Sequence, residues 1–135
     1  MSIRLGICGV GAFADCFIPL FKHHPEVENV ILCDLNAEKL TAKCAKFDIA
    51  DRCASLDELC ELDVEAIAVI TQHHLHGPQG VQALRAGKHV YSAVPSAISM
   101  EEITELIEVR PAIRTTAARR IMYTWCRNLQ TGGPP

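Results

Sequence analysis

The sequence predicts an α/β fold: a three-layer, doubly wound parallel sheet with helices on both faces. Three observations predict it. Short apolar runs alternate with helix-patterned segments along most of residues 3–109. A glycine-rich turn follows the first apolar run and opens a helical pattern. Two Ser-x-x-Glu capping boxes, at Ser55 and Ser99, mark helix starts between such runs.

Each element has its own signal. Ile3–Cys8 is an apolar run bounded by glycine and reads as a buried strand. Phe13 to Phe21 places Phe13, Cys16, Phe17 and Leu20 on one helix face, and His23-His24-Pro25 ends it. Val27 to Cys33 is a second strand, closed by the turn Asp34-Leu35-Asn36. Ala37 to Phe47 is a helix with Leu40, Cys44 and Phe47 on one side. A short third strand is expected around Arg52-Cys53-Ala54, then a helix capped by Ser55. Ala66 to Ile70 is the fourth strand, and His76 to Ala86 a helix stopped by Gly87. His89 to Ser92 is the fifth strand, followed by a helix from Ser99 to about Val109. No solenoid repeat is present.

The chain has 135 residues, 49% of them hydrophobic, so it can build a core and is not a disordered chain. No apolar run reaches the roughly 18 residues of a membrane span. The N-terminus enters a strand with no basic segment before an apolar one, so no secretory signal is expected. Seven cysteines, an odd number without any C-x-x-C, read as buried free thiols of a cytoplasmic protein rather than disulfides or a zinc site. Every Asp and Glu lies between Asp15 and Glu108, whereas Arg110, Arg114, Arg119, Arg120 and Arg127 follow without an acid. Two regions result: an acidic domain over 1–109, with no second domain after it, and an atypical basic tail over 110–135. In the tail, Ala117 to Trp125 is a candidate sixth strand and Asn128 to Pro135 is expected to be disordered coil. Nucleic-acid binding is not expected, because the arginines lack interleaved aromatics or a recognised motif.

Gly9-Val10-Gly11-Ala12-Phe13-Ala14 reads G-x-G-x-x-A, the dinucleotide-binding pattern of a Rossmann domain. Gly9 suits the tight turn, Gly11 leaves room for a pyrophosphate, and Ala14 lets the following helix approach the sheet. The helix N-terminus would offer amides and a positive dipole end to the phosphates. Asp34, about 20 residues further on, can accept hydrogen bonds from ribose hydroxyls and would repel a 2′-phosphate. No arginine stands at Leu35 or Asn36 to bind one, so NAD(H) is expected over NADP(H). Thr71-Gln72-His73-His74-Leu75-His76 follows the fourth strand at the ligand-binding edge of such a sheet. Its histidines lack the i, i+4 spacing of a helical zinc site and have no acid or cysteine beside them, so no metal site is expected. Capping and cofactor-loop contacts are expected there.

With these residues in hand, the chain resembles the Gfo/Idh/MocA (glucose–fructose oxidoreductase / inositol dehydrogenase) family over residues 3–109. Thr71-Gln72-His73-His74-Leu75-His76 is similar to the family's T-P-N-x-x-H, and Ala83 to Val90 to its A-L-x-A-G-K-H-V. The resemblance implies a nicotinamide cofactor held by Gly9, Val10, Gly11, Ala12, Phe13, Ala14, Asp34, Leu35, Thr71, Gln72, His73 and His76. It adds Ala93, in the loop after the fifth strand. It implies NAD-dependent chemistry at a CH–OH group. Two departures bear on activity. The family's E-K-P triplet aligns with Ala93-Val94-Pro95, so valine replaces the lysine that assists proton transfer in the family. Lys88 does not replace it, since it belongs to the turn before the fifth strand. Family members also carry a substrate domain, and no second domain is expected here.

The expectation is therefore an NAD(H)-binding domain that is not catalytically complete alone, with no catalytic residue assigned. The alternative is a non-catalytic nucleotide-binding module or subunit, a sensor or partner. Some relatives use tightly held NAD in redox-assisted glycoside cleavage, and no residue here selects that route. Loss of a covering domain would bare apolar surface, so self-association is also expected.

Overall fold

The structure is a computed structural model that describes residues 2–109; the candidate sixth strand and the terminal coil lie outside the described residues. Five parallel strands form one sheet in the order β3-β2-β1-β4-β5. They are β1 (Ile3–Cys8), β2 (Val27–Cys33), β3 (Arg52–Cys53), β4 (Ala66–Val69) and β5 (His89–Ser92). Five helices accompany them: α1 (Ile18–Lys22), α2 (Ala37–Phe47), α3 (Leu56–Glu61), α4 (His73–Arg85) and α5 (Met100–Val109).

Strand alternation makes the two faces. Leu5 and Ile7 of β1, Val30 and Leu32 of β2, and Ala66 and Ala68 of β4 share one core with Ile18 and Phe21 of α1 and Leu40 and Cys44 of α2. The intervening residues Cys8, Ile31, Cys33, Ile67 and Val69 share the other with Leu56 and Leu59 of α3 and Ala83 of α4. A sheet with both faces covered must be apolar at nearly every central position, which explains the continuous apolar runs. Ile7, Leu32 and Ile67 have no exposed surface, and each such side chain contributes about 1.5–3 kcal/mol of burial.

The element order is as expected, and the boundaries differ in four places. The single helix expected over Phe13 to Phe21 is a 3-10 turn, Phe13–Cys16, followed by the five-residue α1. Pro19 explains the break. Proline lacks an N–H and crowds the carbonyl four residues back, so it is tolerated only in a helix's first turn. Starting α1 at Ile18 puts Pro19 there. The helix expected from His76 begins at His73, with Leu75 N–H bonded to the Gln72 carbonyl at 2.8 Å. The third strand is two residues long, and the fourth ends at Val69.

Both capping boxes form. Ser55 Oγ accepts from Glu58 N–H at 3.2 Å, while Glu58 reaches back to Ala54 N–H at 2.9 Å. Ser99 and Glu102 repeat the pattern, with Glu102 reaching Ile98 N–H. Gly87, past the end of α4, has φ +77° and turns the chain toward β5. Helix α5 packs on α4 and buries none of its residues; Met100, Ile103 and Ile107 are exposed.

The 3-10 turn is tied to α2 by charge. Asp15 bonds Lys43 through one carboxylate oxygen and Lys46 through the other, the latter at 2.8 Å. Lys43 and then Lys46 hold the Asp15 carboxyl below its ordinary value of 3.8. A carboxylate with a lowered folded pKa contributes stability that is complete above its unfolded value and lost as pH falls through the folded one. Asp15→Asn is therefore expected to lower Tm at pH 7, with the gap to the parent narrowing as pH falls below the ordinary carboxyl value of 3.8. Thermal melts as a function of pH check this, and a gap that stays the same size into acid would contradict the assignment.

Candidate functional site

The carboxyl ends of β1, β2 and β4 meet at one edge, where doubly wound sheets bind ligands. An open cavity of about 580 Å³ lies there. That is within the size range of small-molecule sites. Its near wall is the turn Gly9, Gly11, Ala12 and Phe13. Asp34, Leu35 and Lys39 come from the β2–α2 connection, and Ile70, Thr71 and Gln72 from the β4–α4 connection. Ser55, Leu56 and Asp57 of the α3 start and Leu75, Gln79 and Gln82 of α4 close the far side, and Cys8 and Cys33 also line the cavity.

The two glycines have different physical reasons. Gly9 has φ +95°, a left-handed backbone that side chains disfavour. A Cβ there would lie 2.5 Å from the Ile70 carbonyl oxygen. Gly9 is thus required by the protein itself, which draws the first turn against the end of β4. Gly11 is not. Its φ is not positive, and a Cβ there would meet no protein atom within 4 Å. Nothing in the folded chain requires a glycine at 11, so the open space is available to a ligand approaching the backbone.

Asp34 is held in place. Its Oδ2 accepts from Val10 N–H at 2.9 Å and its Oδ1 from Asn36 N–H at 2.8 Å. A carboxylate has about four acceptor directions, so both oxygens retain capacity for a ligand hydroxyl. Val10, fully buried, contributes through its backbone, and Ala14, also fully buried, packs beneath the turn. Phe13 and Leu35 are exposed at the rim, Leu35 at 87%. On the far side Gln82 Nε2 donates to Asp57 Oδ1 at 2.7 Å, and Thr71 Oγ1 donates to Gln79 Oε1.

His76 is placed differently from Thr71 and Gln72. It is 1% exposed and not on the cavity wall. Its Nδ1 lies 2.6 Å from the Pro95 carbonyl oxygen and its Nε2 3.1 Å from the Thr71 carbonyl oxygen. It bridges the loops after β4 and β5. His73 stacks edge-on against it, with ring centroids 5.8 Å apart, and is likewise off the wall. Ala93 is buried, its N–H bonded to the Val69 carbonyl. Val94 is 89% exposed beside it. Lys88 Nζ donates to the Leu62 carbonyl, at the opposite edge of the sheet, as its sequence position requires. Among the described residues no group of three or more His, Cys, Asp or Glu is disposed to hold a metal. No helix among them is long and apolar enough to cross a membrane.

The expected dipole of a long helix behind the glycine turn is absent, because the 3-10 turn and α1 span only four and five residues. The far wall was not foreseen. Leu75, Gln79 and Gln82 fall at i, i+4 and i+7 on α4, and Ser55 lies two residues after β3. Both are signals for residues at the ligand edge.

Substitutions separate the two glycines. Gly9→Ala is expected to destabilise by about 1–3 kcal/mol through strain and the carbonyl clash. Gly11→Ala is expected to leave stability unchanged or raise it by up to about 1 kcal/mol, since only the unfolded chain loses freedom. Urea unfolding of both variants checks this, and equal destabilisation would refute the distinction. His76→Ala removes a buried ring and its contacts with the Thr71 and Pro95 carbonyls, and is expected to cost about 2–4 kcal/mol by the same assay.

Comparison with known proteins matches this geometry. Residues 3–112 match the GFO_IDH_MocA family, described as an oxidoreductase family with an NAD-binding Rossmann fold. The uncharacterized oxidoreductase ORF334 of Rhizobium meliloti is 32% identical over 110 residues, covering 80% of this chain and 33% of that protein. A glycosyl hydrolase family 109 protein of Porphyromonas gingivalis is 30% identical over 123 residues, covering 84% of this chain and 26% of that one. The WlbA dehydrogenase of Bordetella pertussis, solved with NADH and UDP-GlcNAcA, superposes with a TM-score of 0.72 at 26% identity, over 81% of this chain and 34% of that one. KijD10, a 3-ketoreductase of Actinomadura kijaniata solved with NADP and TDP-benzene, gives 0.74 at 25% identity, over 81% and 34%. The chain spans about a third or less of the relatives it matches. It belongs to the Gfo/Idh/MocA oxidoreductase family and comprises that family's nicotinamide-dinucleotide-binding Rossmann domain.

Proposed function

We propose that this chain binds NAD(H) in preference to NADP(H) and does not by itself complete an oxidoreductase reaction. The observation that carries the reading is Gly11, a glycine that no protein contact explains, opening onto a cavity with Asp34 on its wall. The residues fit a dinucleotide. The backbone at Gly11, Ala12 and Phe13 would approach the pyrophosphate, and Asp34 would accept from the adenosine ribose hydroxyls. Leu35 would cover the outer side of the ribose. Thr71 and Gln72 would line the path toward the nicotinamide, with the Ala93 loop beyond them. His73 and His76 would act by setting the Thr71 and Pro95 loops rather than by contact. The bound nicotinamide would accept or deliver a hydride.

The preference for NAD(H) follows from charge. A 2′-phosphate would face the Asp34 carboxylate at short range, with Lys39 of α2 as a cation on the same wall. NADH titration followed by fluorescence is expected to saturate, with NADPH weaker by about tenfold or more. Asp34→Ser is expected to narrow that gap, at a stability cost of about 1 kcal/mol for the lost bond from Val10. A tighter fit for NADPH in the parent would reverse the reading.

The lack of turnover rests on Val94. It brings no ionisable group to the position where the family's lysine assists proton transfer, and a hydrocarbon cannot stabilise developing alkoxide charge. The described residues also supply no substrate-covering surface over the Ala93–Pro95 loop, where Val94 is exposed. Both features also suit a nucleotide-binding module whose partner supplies the rest. With NAD and a polyol or sugar added, absorbance of reduced nicotinamide is expected to stay flat. A steady rise proportional to protein concentration would overturn this part.

A further inference from the structure

Beneath the glycine turn, three cysteines stand in a row across the sheet. Cys8 of β1 is in register with Cys33 of β2, and Cys33 with Cys53 of β3. All three belong to the same buried core, on the same face. All are free thiols. Cys8 and Cys33 also line the cavity, and both are nearly fully buried. A buried thiol pair facing a cavity is not needed for dinucleotide binding, which other small apolar residues would serve.

Spacing decides what the pair could hold. Neighbouring strands lie about 4.7–4.9 Å apart, and residues in register project side by side. Both thiols are free, and the Cys8 thiol lies against that of Cys33. Two metal–sulfur bonds of about 2.3 Å placed end to end span about 4.6 Å. Among the described residues no group of three or more His, Cys, Asp or Glu is disposed to hold a metal, so a site here would have the two sulfurs alone. Thiolate ligands select soft cations. The neighbouring Cys8 thiol, and then burial, push the Cys33 thiol up, and burial with Cys33 pushes Cys53 up to about 12. The Cys33 thiolate is therefore disfavoured until a strongly thiophilic ion displaces the proton.

We propose that Cys8 and Cys33 form a two-sulfur site for a soft d10 cation of the Cu(I) type on the floor of the nucleotide cavity, and that the ion and the dinucleotide exclude one another. Two Cu–S bonds form, two S–H bonds break, both protons leave to solvent, and no atom changes oxidation state. The ion site stands on the cysteines alone. Mutual exclusion rests on the dinucleotide reading above.

The test uses the full chain carrying Cys16→Ser and Cys126→Ser, which removes the exposed thiol and the one outside the described residues. Cu(I) is titrated anaerobically against a competing Cu(I) chelator. One ion per chain is expected to resist the chelator, with two sulfur neighbours by X-ray absorption. Cys8→Ala and Cys33→Ala, each kept apolar to preserve the core and checked by circular dichroism, are expected to weaken retention by about tenfold or more. Complete loss of Cu(I) to the chelator from the parent overturns the site, as does undiminished retention in both folded variants. NADH is then titrated into Cu(I)-loaded and free protein. A saturable signal in the free protein that loading leaves unchanged overturns exclusion. No signal in the free protein counts against the dinucleotide reading and leaves the Cu(I) result standing.

Discussion

The backbone of Gly9 and the carbonyl of Ile70 approach each other at the carboxyl edge of β1 and β4, and the rest of the site is arranged around that approach. A left-handed residue there lets the chain leave β1 and cross the end of β4 with no side chain between them. The Gly9 N–H bonds the Cys33 carbonyl at 2.9 Å, and the next amide, at Val10, bonds Asp34. One turn is thus fixed to both neighbouring strands. Asp34, the acid that reads the ribose in the proposed complex, is positioned by the same turn that would carry the pyrophosphate. Charge then secures the outside: Asp15 ties the 3-10 turn to Lys43 and Lys46 of α2.

The opposite side of the cavity is organised by a buried polar group. His76 presents its two ring nitrogens to carbonyls from two loops, at Thr71 and Pro95. The ring itself is buried, and through these contacts it joins loops that the sheet alone would leave separate. This accounts for a buried histidine in the first turn of α4. The Thr71 loop is shaped by His76 and faces the cavity through Thr71 and Gln72.

Much of the fold was legible because burial on both sheet faces forces continuous apolar strands, and because Ser55, Ser99 and Gly87 mark helix ends by local chemistry. The helix after the glycine turn was misjudged for a local reason: the apolar spacing from Phe13 is helical, but Pro19 dictates where an α-helix can begin. The glycine pattern, Asp34 and the Thr71–Gln72 pair were legible from their position after strands. Lys39, Asp57, Gln79 and Gln82 were not, because polar residues on a helix surface look alike until the topology shows which face meets the cavity. The distinction between Gly9 and Gly11 was equally hidden. It depends on which atoms lie where a Cβ would go, and only the folded chain supplies them.

The central claim is that the open space at Gly11 is the seat of a dinucleotide's pyrophosphate. Amide-resolved NMR during NADH titration tests it most directly. The account predicts saturable shifts concentrated in the amides of Gly9 to Ala14, with smaller ones at Asp34, Leu35, Thr71 and Gln72. Shifts centred instead on the cleft lined by Lys22, Glu28 and Asp51 at the other edge of the sheet, or none at saturating NADH, would contradict it.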